Sequence, residues 1–169
     1  MLCGGNGGCG DCASDLRSVL ELRCSSNGVV DGSGWSKLPS LPCRVSDAAC
    51  ARTNGNCIYV VGGVQSGQPS DRIWRLRRLP DQDVSTFSWV SAGSRLPNGA
   101  RYSSSAVVVG CILYVIGGNT ESGSPCCDLY SYNMKSGLWT TLTPMTHARA
   151  GFCAVAVVES SSILVCGGF

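Results

Sequence analysis

The chain has 169 residues, 44% of them hydrophobic and 14% charged, with a mean hydropathy of +0.13. That is too apolar and too weakly charged for a disordered tail, and the length suits one packed domain. With 13 basic and 11 acidic residues the formal charge is +2, which supplies no field for nucleic acid or a membrane surface, and no run of about 18 apolar residues is present to span a bilayer.

From the N-terminus, "GNGGCG" at residues 5–10 matches G-x-G-x-x-G, the pattern of a dinucleotide-binding turn. Ser14 would cap the helix such a turn needs, with Leu16, Val19 and Leu20 on one face. A dinucleotide fold also requires parallel strands alternating with helices, and no second helical pattern follows. Instead there are 22 glycines, and short runs of Val, Ser and Thr recur, which predicts strands and tight turns.

Four apolar runs each end in a glycine pair: "MLCGG", "CIYVVGG", "ILYVIGG" and "ILVCGG". The pairs begin at Gly4, Gly62, Gly117 and Gly167, at intervals of 58, 55 and 50 residues. Trp35, Trp89 and Trp139 follow the first three pairs, each 27 or 28 residues before the next one. Asp15, Asp71 and Asp128 open a strand-like piece after each pair. A proline and an arginine follow each tryptophan: Pro42 with Arg44, Pro97 with Arg101, and Pro144 with Arg149. Each unit thus reads as four strands, here called a, b, c and d, with a and b apolar enough to be covered on both faces. The densest basic run, "RLRRLP" at 75–80, precedes Asp81 and Asp83 and reads as a solvated loop.

A period near 50 residues with these marks in phase resembles the kelch repeat. The resemblance covers essentially the whole chain. It implies an all-β fold, an incomplete kelch-type β-propeller of about three blades, each a four-stranded antiparallel sheet. Residues 1–43 would form the first unit (strands b to d), 44–100 the second, 101–148 the third, and 149–169 the start of a fourth (strands a and b). "LCGG" is then strand b of the first unit, and "NGGCGDCAS" its b–c loop. The first unit departs most from the pattern, with Val19, Leu20 and Leu22 where an aromatic strand c is usual.

Twelve cysteines invite a metal or disulfide reading. Cys9-x-x-Cys12, with Cys3 and Cys24 near, has thiolates enough for zinc, but one C-x-x-C is weak and Cys3 already has a place in strand b. Cys57, Cys111, Cys153 and Cys166 fall inside apolar runs, where a thiol acts as a small buried hydrophobe. Cys126 and Cys127 sit together in a b–c loop, either redox-reactive or inert. No metal and no cofactor is expected. The N-terminus lacks the features of a signal peptide, and the chain is read as cytoplasmic.

Catalytic patterns are missing: no G-x-S-x-G, H-E-x-x-H or Walker loop occurs, and His147 is the one histidine. The copper site of galactose-oxidase-like propellers needs two histidines, so that chemistry is excluded. The reading is a non-catalytic protein-interaction module, with a fragment of a sugar-processing kelch-propeller enzyme as the alternative. The resemblance implies substrate recognition for a cullin-type ubiquitin ligase or binding to actin. In an a–b–c–d blade, the b–c and d–a loops share one rim. The resemblance assigns to this rim the grip on an acidic or hydroxyl-bearing peptide. The candidate residues are Arg44, Arg101, Tyr102, Ser103, His147 and Arg149. An arginine fork suits a carboxylate or phosphate, and it equally suits tying adjacent blades together; both roles stand. Because the sequence stops at "CGGF" in mid-blade, the expectation is that the gene product continues beyond Phe169, or that copies associate through open edges.

Overall fold

A computed structural model of the chain describes residues 2–3, 6–7, 14–53, 57–78, 87–157 and 162–169. Among the described residues every regular element is a β-strand. The first sheet holds Leu2–Cys3 (β1), Val19–Cys24 (β2) and Val30–Leu38 (β3). The second holds Ala49–Arg52 (β4), Ile58–Val61 (β5), Ile73–Arg78 (β6) and Phe87–Ser91 (β7). The third holds Ser105–Val109 (β8), Ile112–Ile116 (β9), Leu129–Asn133 (β10) and Leu138–Leu142 (β11). The fourth pairs Phe152–Val157 (β12) with Ser162–Gly167 (β13). Neighbours in each sheet are consecutive in the chain and antiparallel, so the sheets are blades: b–c–d, a–b–c–d, a–b–c–d and a–b. The inner strands β4, β8 and β12 lie side by side.

Each blade face is too apolar to stay wet, and three cores form between successive sheets. Val19, Leu41, Val45 and Val60 pack between the first and second sheets with Trp74 and Trp89. Tyr59, Val61, Ile73, Leu113, Val115 and Tyr132 fill the space between the second and third. Val107, Ile116 and Phe152 meet Ile163 and Val165 between the third and fourth. All four residues of β5 are buried, as a strand covered on both faces requires.

The tryptophans stand in one register, Trp35 opposite Leu22, Trp89 opposite Leu76 and Trp139 opposite Tyr132. Trp89 Nε1 donates to Pro39 O at 2.8 Å, and Trp139 Nε1 to Ser94 Oγ at 2.9 Å. Both acceptors lie in the loop just after strand d of the preceding blade, so each indole staples its blade to that loop. Trp35 shares the register but not the burial, with 51% of its surface exposed.

The glycine pairs connect blades through their backbone. Gly62 N–H donates to Arg72 O within its own blade (2.9 Å), and Gly63 N–H to Arg101 O in the loop leading to the next (2.8 Å). Gly117 and Gly118 repeat the pattern with Asp128 O and Arg149 O, both at 2.8 Å. At Gly118 φ is +93°, and a Cβ would lie 2.7 Å from Ser104 Cβ and 2.8 Å from Tyr102 O. Only glycine fits such a close approach.

Several expectations are corrected. The run at 75–80 is not all loop, because its residues 75–78 belong to β6 and pair with β7. Cys57 is half-buried, and Cys111, Cys153 and Cys166 are exposed rather than buried. In the first blade strand c begins at Val19, and Asp15 lies ahead of it in a two-residue ladder with Asn6. Cys9 and Cys12 lie outside the described residues.

Candidate functional site

The b–c and d–a loops do share one rim, held together by backbone bonds. Val64 and Ser46 exchange hydrogen bonds at 2.8 and 3.0 Å, and Tyr102 and Asn119 at 3.2 and 2.8 Å. Arg101 N–H donates to Ser70 O, and Arg149 N–H to Cys126 O. Nearer the inner strands, Asp47, Ser103 and Gly151 all have φ between 52° and 65°. Ser103 N–H donates to Asp47 O (2.8 Å) and Gly151 N–H to Ser103 O (2.9 Å), one bond from each blade to the one before it.

Under this rim lies a polar network. Arg101 is only 4% exposed. Its Nη2 donates to Asp128 Oδ2 at 2.7 Å, and its Nη1 to the carbonyls of Ala100 (2.9 Å) and Asn98 (3.3 Å). Tyr130 Oη donates to the same Asp128 oxygen at 2.9 Å and accepts from Asn98 Nδ2 at 3.0 Å. Burial works against the charge on Asp128, but the hydrogen bonds from Arg101 and Tyr130 prevail and hold its carboxyl below the usual carboxylate range. Burial likewise opposes the charge on Arg101, and the bond to Asp128 overcomes it, raising the guanidinium pKa. Burial, together with the carboxylate it serves, pushes the Tyr130 phenol up. The Cys126 thiol beside them is also pushed up, first by burial, with Arg101 opposing. Such a thiol is a poor nucleophile.

The six candidate residues therefore separate. Arg101 joins two blades as a residue: its main chain bonds Ser70 and Gly63 of the second blade, while its guanidinium is engaged by Asp128 of the third and by two carbonyls of its own loop. Arg149 repeats this arrangement, its main chain bonded to Cys126 and Gly118 of the third blade and its Nη1 donating to Gly167 O of the fourth at 2.7 Å, although it is half-buried rather than buried. Ser103 serves through its left-handed backbone. Tyr102 is half-buried, its ring extended toward Gly123 in the b–c loop. Arg44 and His147 are exposed; His147 Nδ1 lies 3.0 Å from Thr146 Oγ1. Arg44 does not occupy the place of the other two arginines. Val45 does: its N–H donates to Leu16 O as Arg101 and Arg149 donate to Ser70 and Cys126, and it is fully buried.

Asp128, Tyr130 and Asn98 were not among the candidates. The recurring aspartate was the available signal, and the arginine it pairs with lies 27 residues away in sequence. Among the described residues no three His, Cys, Asp or Glu side chains come together to hold a metal ion, and no helix is long and apolar enough to cross a membrane.

Radially stacked antiparallel blades, linked by glycine pairs and stapled by a strand-d tryptophan, define a β-propeller repeat protein. The chain belongs to the kelch-repeat family: residues 4–169 match the family described as the KLHDC2/KLHL20/DRC7 Kelch-repeats domain. It is 28% identical over 136 residues to Kelch-like protein 23 of Pongo abelii, covering 79% of this chain and 22% of that one. It is 27% identical over 143 residues to Kelch domain-containing protein 8B of Rattus norvegicus, covering 79% and 38% respectively. The chain thus spans well under half the length of these relatives. A solved structure titled "Structure of YjhT" shares the fold at a TM-score of 0.62 and 23% identity, over 78% of this chain and 36% of that one.

Proposed function

We propose that this chain is a non-catalytic protein-interaction module whose b–c/d–a rim recognises an acidic or hydroxyl-bearing segment of a partner protein. The observation that carries this reading is the division of labour on the rim. Arg101 and backbone bonds hold the loops rigid, leaving Arg44 and His147 exposed above them. Preorganised loops with exposed polar side chains lose little conformational entropy on binding. The only histidine lies on this exposed loop with a threonine as its partner, a placement that suits contact rather than proton transfer. Membership of the kelch-repeat family and the kelch-like relatives support the same class of role. Within that class, we assign it substrate recognition for a cullin-type ubiquitin ligase, with actin binding as the competitor, in the cytoplasm.

The test is capture of partners by the wild-type chain and by the Arg44→Ala/His147→Ala variant. The expected outcome is loss of a specific partner with an unchanged melting temperature. Undiminished capture by the variant would overturn the rim as the contact surface. Recovery of ubiquitin-ligase subunits or of actin among the specific partners separates the two roles.

A further inference from the structure

Where the second blade meets the third, Asp128 holds the guanidinium of the buried Arg101, with Tyr130 beside them. Backbone bonds identify the same three places one junction earlier. Gly62 N–H donates to Arg72 O as Gly117 N–H donates to Asp128 O, so Arg72 stands where Asp128 does. Trp74 lies opposite Val60 as Tyr130 lies opposite Val115, so Trp74 stands in place of Tyr130. Val45 holds the place of Arg101, its N–H donating to Leu16 O. The earlier junction thus has a buried valine where the later one has its cation, and a cation where the later one has its carboxylate.

No described residue neutralises that cation. Arg72 is exposed, and no carboxylate among the described residues pairs with it; the adjacent Asp71 is engaged by Arg95 at 2.7 Å. Strand d of the first blade and the loop after it border this place, and Arg72 stays exposed with them present. What the neighbourhood supplies is a platform. The guanidinium carbon lies 6.0 Å from the centroid of the Trp74 ring, at the reach of a cation–π contact. Trp74 in turn packs on Val19, Leu41, Val45 and Val60. The main chain of Arg72 is fixed from both sides: its N–H donates to Ser70 Oγ at 3.2 Å, and its carbonyl accepts from Gly62 N–H at 2.9 Å. A second exposed cation follows close by. Burial pushes the Cys43 thiol up and the charge of Arg72 opposes it, and Arg44 is the next residue after Cys43.

We propose that Arg72, seated on Trp74, is the anchor by which the rim holds an anionic side chain of the partner protein. This rests on the reading of the rim given above and adds to it a residue outside the six candidates. An arginine laid on an indole has less rotamer freedom to lose on binding. Its planar fork still presents N–H donors to a carboxylate or a phosphate. Arg44 adds to the local positive field.

The test measures fluorescence anisotropy of three labelled peptides of one length, rich in glutamate, phosphoserine or glutamine, titrated with the full chain at low ionic strength. The wild type should bind the two anionic peptides and not the neutral one, and the tighter of the two names the chemistry of the natural contact. Arg72→Ala should weaken that binding about tenfold or more, the worth of one hydrogen bond to a charged group. Arg72→Gln, which keeps a stem on the indole, should lose as much, and it serves if the alanine variant fails to fold. Arg95→Ala, whose guanidinium is already engaged by Asp71, should bind as the wild type does. Melting temperatures of the variants keep folding separate from binding. The proposal fails if the wild type binds neither anionic peptide, or binds the glutamine peptide equally well. It also fails if a folded Arg72 variant binds as the wild type does, or if Arg95→Ala loses as much. No partner enters this assay, so the anchor can fail while partner capture still depends on Arg44 and His147.

Discussion

The second and third blades share a backbone and differ in what it carries. Asp71 and Asp128 open strand c of the two blades and look equivalent in the sequence. The backbone places them one residue apart. Gly62 N–H donates to the carbonyl of Arg72, and Gly117 N–H to that of Asp128, so Asp128 matches Arg72, while Asp71 matches Cys127. One step along an extended chain turns a side chain to the other face. Asp128 consequently reaches the buried Arg101, whereas Asp71 reaches Arg95, which lies largely in solvent. The distances are identical at 2.7 Å, but the Arg95 side chain is 65% exposed and that of Arg101 5%. What repeats from blade to blade is the hydrogen-bond pattern of the main chain, and side-chain chemistry is written over it locally.

That contrast can be broken or sharpened by experiment. The largest effect is expected in the tryptophan register. Trp139 packs on Tyr132 with ring centroids 4.8 Å apart and reaches Ser94, so Trp139→Ala should cost roughly 3–5 kcal/mol. Trp35, in the same register but half exposed, should tolerate alanine within about 1 kcal/mol, as urea denaturation would measure. Equal losses would mean that register rather than burial sets the energetics.

The aspartate partners come next. Arg101→Ala leaves Asp128 without its cation, at an expected cost of about 2–3 kcal/mol, less than for a fully buried pair because the Asp128 side chain is 34% exposed. Arg95→Ala should cost about 0–1 kcal/mol, the usual worth of an exposed pair. Urea midpoints of the two variants would check the difference, and comparable losses would show that burial of the arginine is irrelevant.

The smallest effect concerns pH. The folded-state pKa of Asp128 lies below the unfolded value of about 3.9. Its contribution is therefore complete above that value and is lost as pH falls through the folded one. Asp128→Asn should remove that part of the acid destabilisation. Urea midpoints at pH 7 and pH 3 should fall less in the variant than in the wild type, and parallel falls would assign the acid sensitivity elsewhere.

The fold could be read from the sequence because its strongest signals are periodic. Glycine pairs and tryptophans report backbone geometry and bulk, which every blade needs at the same place. The site was less accessible. Loop lengths differ between units, so counting residues placed Arg44 beside Arg101 and Arg149, although Val45 holds that position. Nothing in an isolated sequence distinguishes an arginine committed to Asp128 from one free for a partner, because the difference depends on which side of the strand its acceptor faces. The cysteines failed for a related reason. Cys57, Cys111, Cys153 and Cys166 lie in or beside apolar strands, but the neighbour that would bury a strand face lies in another blade.

Asp47, Ser103 and Gly151 join blade to blade using nothing but the main chain in a left-handed turn. An aspartate, a serine and a glycine do this work equally well, so the joint imposes a conformation and no chemistry. The mouth of the inner strands is thereby freed to diversify: residues that tolerate the turn can be exchanged there without loosening the attachment of one blade to the next. A duplicated repeat acquires new surface character most readily where its assembly makes no demand on the side chain, and this row of turns is such a place.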